Sequence, residues 1–141
     1  MQTLVLTDAS RIIGGLLLLT VVGIESGGVF LLRISRGAYR FTEFQRAFVR
    51  AMHAHAGVLV ILSLVCLLLS DAAGLTGPAG WLGRLGVPVA ALLIPGGFVT
   101  SALIGTGEIN RPNPRFLWMF FAGGASLAIG VVSVGIGLLV T

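Results

Sequence analysis

Residues 12–32 (IIGGLLLLTVVGIESGGVFLL) run between Arg11 and Arg33 and carry one charge, Glu25. At about 1.5 Å per helical residue this stretch is long enough to cross a hydrocarbon core of about 30 Å. Three more stretches repeat the pattern. One covers about residues 47–70 and stops at Asp71, and another covers about 87–106 with Pro95-Gly96-Gly97 near its middle. The last covers 116–140 and begins just after Arg115. Lipid offers no partner to a backbone N–H or C=O, so each stretch must bond to itself as a helix. The expected fold is all-α: an integral membrane four-helix bundle forming a single transmembrane domain over residues 1–141.

Composition agrees. Apolar residues make up 56% of the chain and charged residues 10%, with a mean hydropathy of +1.04. A soluble domain carries about 25% charged residues because it must present a hydrated surface. Residues 1–10 hold no basic side chain, and the first apolar run is about twice the length of a signal-peptide core. It therefore reads as a permanent span.

The nine basic residues are all Arg, and their distribution sets the expected orientation. Arg33, Arg36, Arg40, Arg46 and Arg50 flank the first connection, and Arg111 and Arg115 flank the third. Only Arg11 and Arg84 lie on the opposite side. Arg-rich connections stay in the cytoplasm, which places both termini on the extracytoplasmic side of the membrane. The net charge of +4 thus belongs to topology and is not a nucleic-acid signature. Residues 70–86 (SDAAGLTGPAGWLGRLG) are rich in Gly, with Pro78 and an interfacial Trp81, and read as an irregular external loop. Thr42 and Gln45 have capping-box spacing, so the second helix is expected to begin near Glu43.

Charge within a span is costly, which makes its few instances the best functional candidates. Glu25 lies about 12 Å from the cytoplasmic end of its helix. His53 and His55, in Arg50-Ala-Met-His-Ala-His-Ala-Gly57, lie roughly 9–13 Å inside the second. An antiparallel neighbour would set an imidazole against the carboxylate. Thr100 and Ser101 reach a similar level on the third helix, and Glu108 lies nearer the surface. These six residues form the expected ligand or proton-handling cluster. The plainer alternative is a Glu–His hydrogen bond that fixes helix packing.

The two histidines are separated by about 200° around a helix and point to opposite sides. His53 shares a stripe with Gly57 and Val60, and His55 one with Ala51 and Leu59. With no third histidine, a bis-His haem within one chain is excluded; a haem would take one His, a His plus another residue type, or symmetry-related His across a dimer. His53 and His55 are also the candidate metal ligands, with Glu25 and Glu108 as companions. The lone Cys66 reads as a filler thiol, and no phosphate-binding loop or Ser-His-Asp arrangement is present.

Small residues mark expected helix contacts. Gly123, Ser126, Gly130, Ser133 and Gly137 alternate at spacings of three and four on the last helix, a stripe suited to close packing. Gly23 and Gly27 form a second groove roughly opposite Glu25. If Glu25 faces the bundle, that groove faces outward toward a second copy or another subunit. Pro95 is expected to kink the third helix.

The run from Gly27-Gly-Val-Phe30 through Arg46-Ala-Phe-Val-Arg-Ala-Met-His-Ala-His-Ala-Gly57 resembles a group of small uncharacterised bacterial membrane proteins. Their second helix opens with a His-x-His motif, and some look like shortened relatives of the haem–copper oxidase and nitric oxide reductase large subunit. The resemblance implies His53 and His55 as haem or metal ligands. The chain lacks the further helices and histidines of a haem–copper centre, so oxygen or nitric oxide reduction is not implied. The expected function is a small redox-associated accessory subunit, in the lipid bilayer with copies of itself or other subunits, that handles a proton or binds haem or quinone. Two alternatives stand beside it: an oligomeric transporter or channel for protons or small solutes, and a structural assembly factor.

Overall fold

The structure is a computed structural model describing residues 5–104 and 110–140. Four helices follow one another: α1 (Asp8–Ser35), α2 (Glu43–Ala72), α3 (Gly77–Leu103) and α4 (Trp118–Val140), the last preceded by a 3₁₀ turn at Pro114–Phe116. Each is long and apolar enough to cross a membrane. The four-helix bundle expected from the sequence is the observed fold.

Helix ends follow local chemistry. The Thr7 hydroxyl accepts from the Ser10 N–H at 3.2 Å and starts α1. The capping box at α2 is complete: the Thr42 hydroxyl accepts from the Gln45 N–H at 3.2 Å, and the Gln45 amide oxygen accepts from the Thr42 N–H at 3.1 Å. The same Gln45 side chain donates to the Ala102 carbonyl at 3.3 Å, tying the start of α2 to the end of α3.

The largest departure from the expected elements is at α3. It begins at Gly77, not near Val87, so most of the anticipated external loop is helical. The turn proper is short, with Gly74 at φ 59° and the Leu75 N–H donating to the Ser70 carbonyl at 2.9 Å. Pro78 falls in the first turn, where a missing N–H removes no helical bond. Gly80, Gly83 and Gly86 recur every three residues, and all three are buried on a contact face. A Cβ on Gly80 would lie 2.6 Å from the Leu75 carbonyl oxygen, and one on Gly83 would lie 2.8 Å from the Ser70 hydroxyl. These glycines are packing sites, not loop punctuation. α3 also runs unbroken through Pro88 and Pro95.

The helices are not equivalent. α3 packs extensively on both α2 and α4, while α1 packs chiefly on α2 and the α2–α4 contact is slight. One face of α2 joins Leu59 and Cys66 to Val87, Ala91 and Val134. Another joins Val60 and Leu67 to Leu17 of α1. Outside these faces α1 is nearly bare, burying only Ser10, Leu17 and Ile34.

The small-residue stripe of α4 is used inside the chain. Gly123 faces Leu93 and Ile94, Gly130 faces Gly86 and Val87, and Gly137 faces Leu75. Ser126 donates its hydroxyl to the Gly86 carbonyl at 2.8 Å. The tightest crossing is Gly86 on Gly130, where a Cβ on Gly86 would sit 2.5 Å from the Gly130 Cα. Backbone cannot step aside as a flexible side chain can. Gly86→Ala or Gly130→Ala is therefore expected to destabilise the fold by about 1–3 kcal/mol, as overpacking generally does. Gly124→Ala and Gly135→Ala, whose added methyl groups meet nothing within 4 Å, should leave thermal unfolding in detergent unchanged.

Candidate functional site

The two histidines leave α2 in different directions, as their spacing requires. His53 turns to α1 and rests on Gly27 and Gly28: a Cβ on Gly27 would lie 3.2 Å from its Nδ1, and one on Gly28 would lie 3.6 Å from its Cε1. The glycine pair is a slot for an imidazole. The Gly27 end of the expected outward groove is thus filled from within the chain, and Gly23 is left with open space beside it.

His55 turns to α3. Its ring lies 5.0 Å from that of Phe98, which also meets Phe48 at 5.4 Å and Phe120 at 4.8 Å. Its Nδ1 is 2.7 Å from the Ala51 carbonyl oxygen one turn back. A carbonyl can only accept, so Nδ1 carries the proton of the neutral ring and Nε2 keeps its lone pair. The residue is exposed, which leaves Nε2 available to an outside group.

Glu25 does not join them. It is exposed, and among the described residues it makes no hydrogen bond or ion pair. The reason is angular: Gly27 and Gly28 turn to His53, and Glu25 lies on the flank of α1, roughly 60° from Gly28 and farther from Gly27. Thr100 and Ser101 bond chiefly to their own helix, with the Thr100 hydroxyl also 3.6 Å from the Met119 sulfur of α4. The Thr100 hydroxyl donates to the Gly96 carbonyl at 2.7 Å, and the Ser101 hydroxyl to the Gly97 carbonyl. Glu108 lies outside the described residues. Among the described residues no group of three or more His, Cys, Asp or Glu side chains is arranged to hold a metal. Among the described residues, Glu25, His53, His55, Thr100 and Ser101 are therefore not gathered into one cluster. The expected cluster resolves into an imidazole in a slot, an imidazole with an open nitrogen, and a lone carboxyl.

A different polar site is fully built, at the opposite end of the bundle. Arg84 places Nη2 2.6 Å and Nε 3.1 Å from Oδ1 of Asp71. Its Nη1 donates to the Leu75 carbonyl at 3.0 Å, and its Nε also lies 3.2 Å from the Ser10 hydroxyl. The Thr7 N–H donates to Asp71 Oδ2 at 3.0 Å. The side chains of Arg84 and Asp71 are 9% and 1% exposed, so the pair is hidden from solvent and lipid alike. Sequence reasoning took Asp71 as the end of a span and Arg84 as an orientation charge. Once residues 77–86 are read as helix, an Asp closing one helix and an Arg two turns into the next become the facing ends of a hairpin.

No family model matches the chain, and no curated protein or solved structure matches it either.

Removing one member of a buried ion pair strands the other, at a cost of about 3–5 kcal/mol. Asp71→Ala and Arg84→Ala should each lower the thermal midpoint in detergent sharply. Arg84→Lys should recover only part of the loss, because an ammonium cannot fork to both the carboxylate and the Leu75 carbonyl.

Proposed function

We propose that the protein is an accessory subunit of a membrane assembly that docks through α1, with Glu25 as the polar contact offered to its neighbour. The observation that carries this reading is the exposed carboxyl of Glu25, within a spanning helix and without a partner among the described residues. A carboxylate at the centre of a bilayer costs about 2.5–3.5 kcal/mol on insertion scales, and a donor from an adjoining helix removes most of that cost. The bareness of α1 supports the same reading: outside its seam with α2, the helix offers apolar side chains such as Leu16, Leu18, Leu19 and Val22 to its surroundings. By the distribution of Arg, the assembly lies in the bacterial cytoplasmic membrane with the termini of this subunit outside.

The test is native size after extraction in mild detergent. The wild-type protein should run as a complex, either of several copies or with another subunit. Glu25→Leu should release a single chain whose unfolding midpoint is unchanged, because Glu25 bonds to nothing among the described residues. A particle whose size ignores Glu25→Leu would overturn the docking role.

A second reading is favoured by the locked tautomer of His55. A metal-ligating imidazole typically donates its other ring N–H to a carbonyl, as His55 does to Ala51. Together with the aromatic ring of Phe98 beside it, this supports His55 as one axial ligand of a haem shared with a neighbour, or as a hydrogen-bonding group for a quinone. The haem version predicts a Soret band in the purified complex that His55→Ala abolishes; a colourless complex would defeat it.

A further inference from the structure

Between the last turns of α1 and the first turns of α2 lies a cavity of about 460 Å³, lined by Leu31, Leu32, Ile34, Ser35, Arg46 and Arg50. Its chemistry is divided. Leu31, Leu32, Ile34 and Ser35 come from α1, and Arg46 and Arg50, one turn apart, come from α2. We infer that this cavity holds the phosphate of an anionic phospholipid, with the two arginines on the headgroup and Leu31 and Leu32 against the upper acyl chains.

The arginines differ in how they are held. Arg46 is anchored: its Nε donates to the Phe41 carbonyl at 3.2 Å, and its Nη1 lies a loose 3.8 Å from Glu43. That anchoring sets the guanidinium at the cavity with its remaining N–H groups free to donate. Arg50 is exposed and has no hydrogen-bond or ion-pair partner among the described residues. Of the described carboxylates, Glu43 lies nearest along the chain, with its side chain 87% exposed, and Glu25 lies about 9 Å deeper along α1 than Leu31. Among the described residues the charge is therefore not cancelled. A guanidinium fork matches two phosphate oxygens, a geometry an ammonium cannot reproduce.

Position decides between a lipid phosphate and a free one. Ile34 and Arg46 lie at the ends of helices long enough to span a membrane, which is the level of the headgroups. Basic pockets between helices on the cytoplasmic side are where anionic headgroups collect. A soluble anion would gain nothing from half-buried Leu31 and exposed Leu32, whereas an acyl chain would cover them. The inference does not depend on how α1 meets a neighbour.

The experiment is native mass spectrometry of the detergent-solubilised protein, titrated with phosphatidylglycerol, phosphatidylcholine or inorganic phosphate. Phosphatidylglycerol should remain bound in clear preference to phosphatidylcholine. Arg50→Gln should weaken that preference about fivefold, the usual effect of one basic residue near an anionic surface. Arg46→Gln with Arg50→Gln should abolish it, and Arg11→Gln, at the far end of the bundle, should leave it intact. Because Arg50 bonds to nothing among the described residues, its single variant keeps the test free of unfolding. Equal retention of the two lipids, a preference that survives the double substitution, or displacement of phosphatidylglycerol by inorganic phosphate would each overturn the site.

Discussion

The guanidinium of Arg84 and the carboxylate of Asp71 are the point at which three helices are held together. Arg84 comes from α3 and Asp71 from α2, and Ser10 and Thr7 bring in the start of α1. In an apolar medium neither charge has water to fall back on, so the two are stable only when both are present and their remaining bonds are met. The Leu75 carbonyl and the Thr7 N–H meet those bonds. The junction therefore fixes which helix ends lie side by side, something that apolar contact between equally greasy surfaces specifies poorly.

Below the junction, shape takes over from charge. Between helices in lipid there is little hydrophobic drive, and association depends on close van der Waals contact. The glycines at 80, 83 and 86 of α3 and those at 123, 130 and 137 of α4 supply it by letting backbones approach. Gly86 and Gly130 nearly touch, and Ser126 bonds across the same crossing to the Gly86 carbonyl. With α3 committed to α2 and α4 in this way, α1 is left with α2 as its main neighbour. Its exposure follows from how the other three satisfy one another.

The polar residues of the Arg-rich half inherit that asymmetry. α2 sits between α1 and α3, so His53 and His55 necessarily meet different helices: one fills the slot at Gly27 and Gly28, and the other lies on Phe98. Glu25 falls on the flank of α1, away from both. The chain thus keeps its internal ion pair at one end and at the other presents Glu25, the His55 Nε2 and Arg50, none of them partnered among the described residues.

Much of this was legible from the chain alone. Long apolar runs admit one solution in lipid, so the four spans, the helical fold, the opposed directions of the two histidines and the cap at Thr42 follow from hydropathy, the 100° step and hydrogen-bonding chemistry. These are local properties, decided within one helix. Which face meets which neighbour is not local. Glycines in residues 70–86 look the same in sequence whether they punctuate a loop or line a helix crossing, and only the contact with Ser70 and Gly130 distinguishes them. In the same way, matching depths on two antiparallel helices do not give the rotation of α1, a few tens of degrees of which separate Glu25 from the imidazoles. Depth is set by position along the chain, whereas rotation is set by the packing of all the helices together, and so it was decided by the tertiary structure.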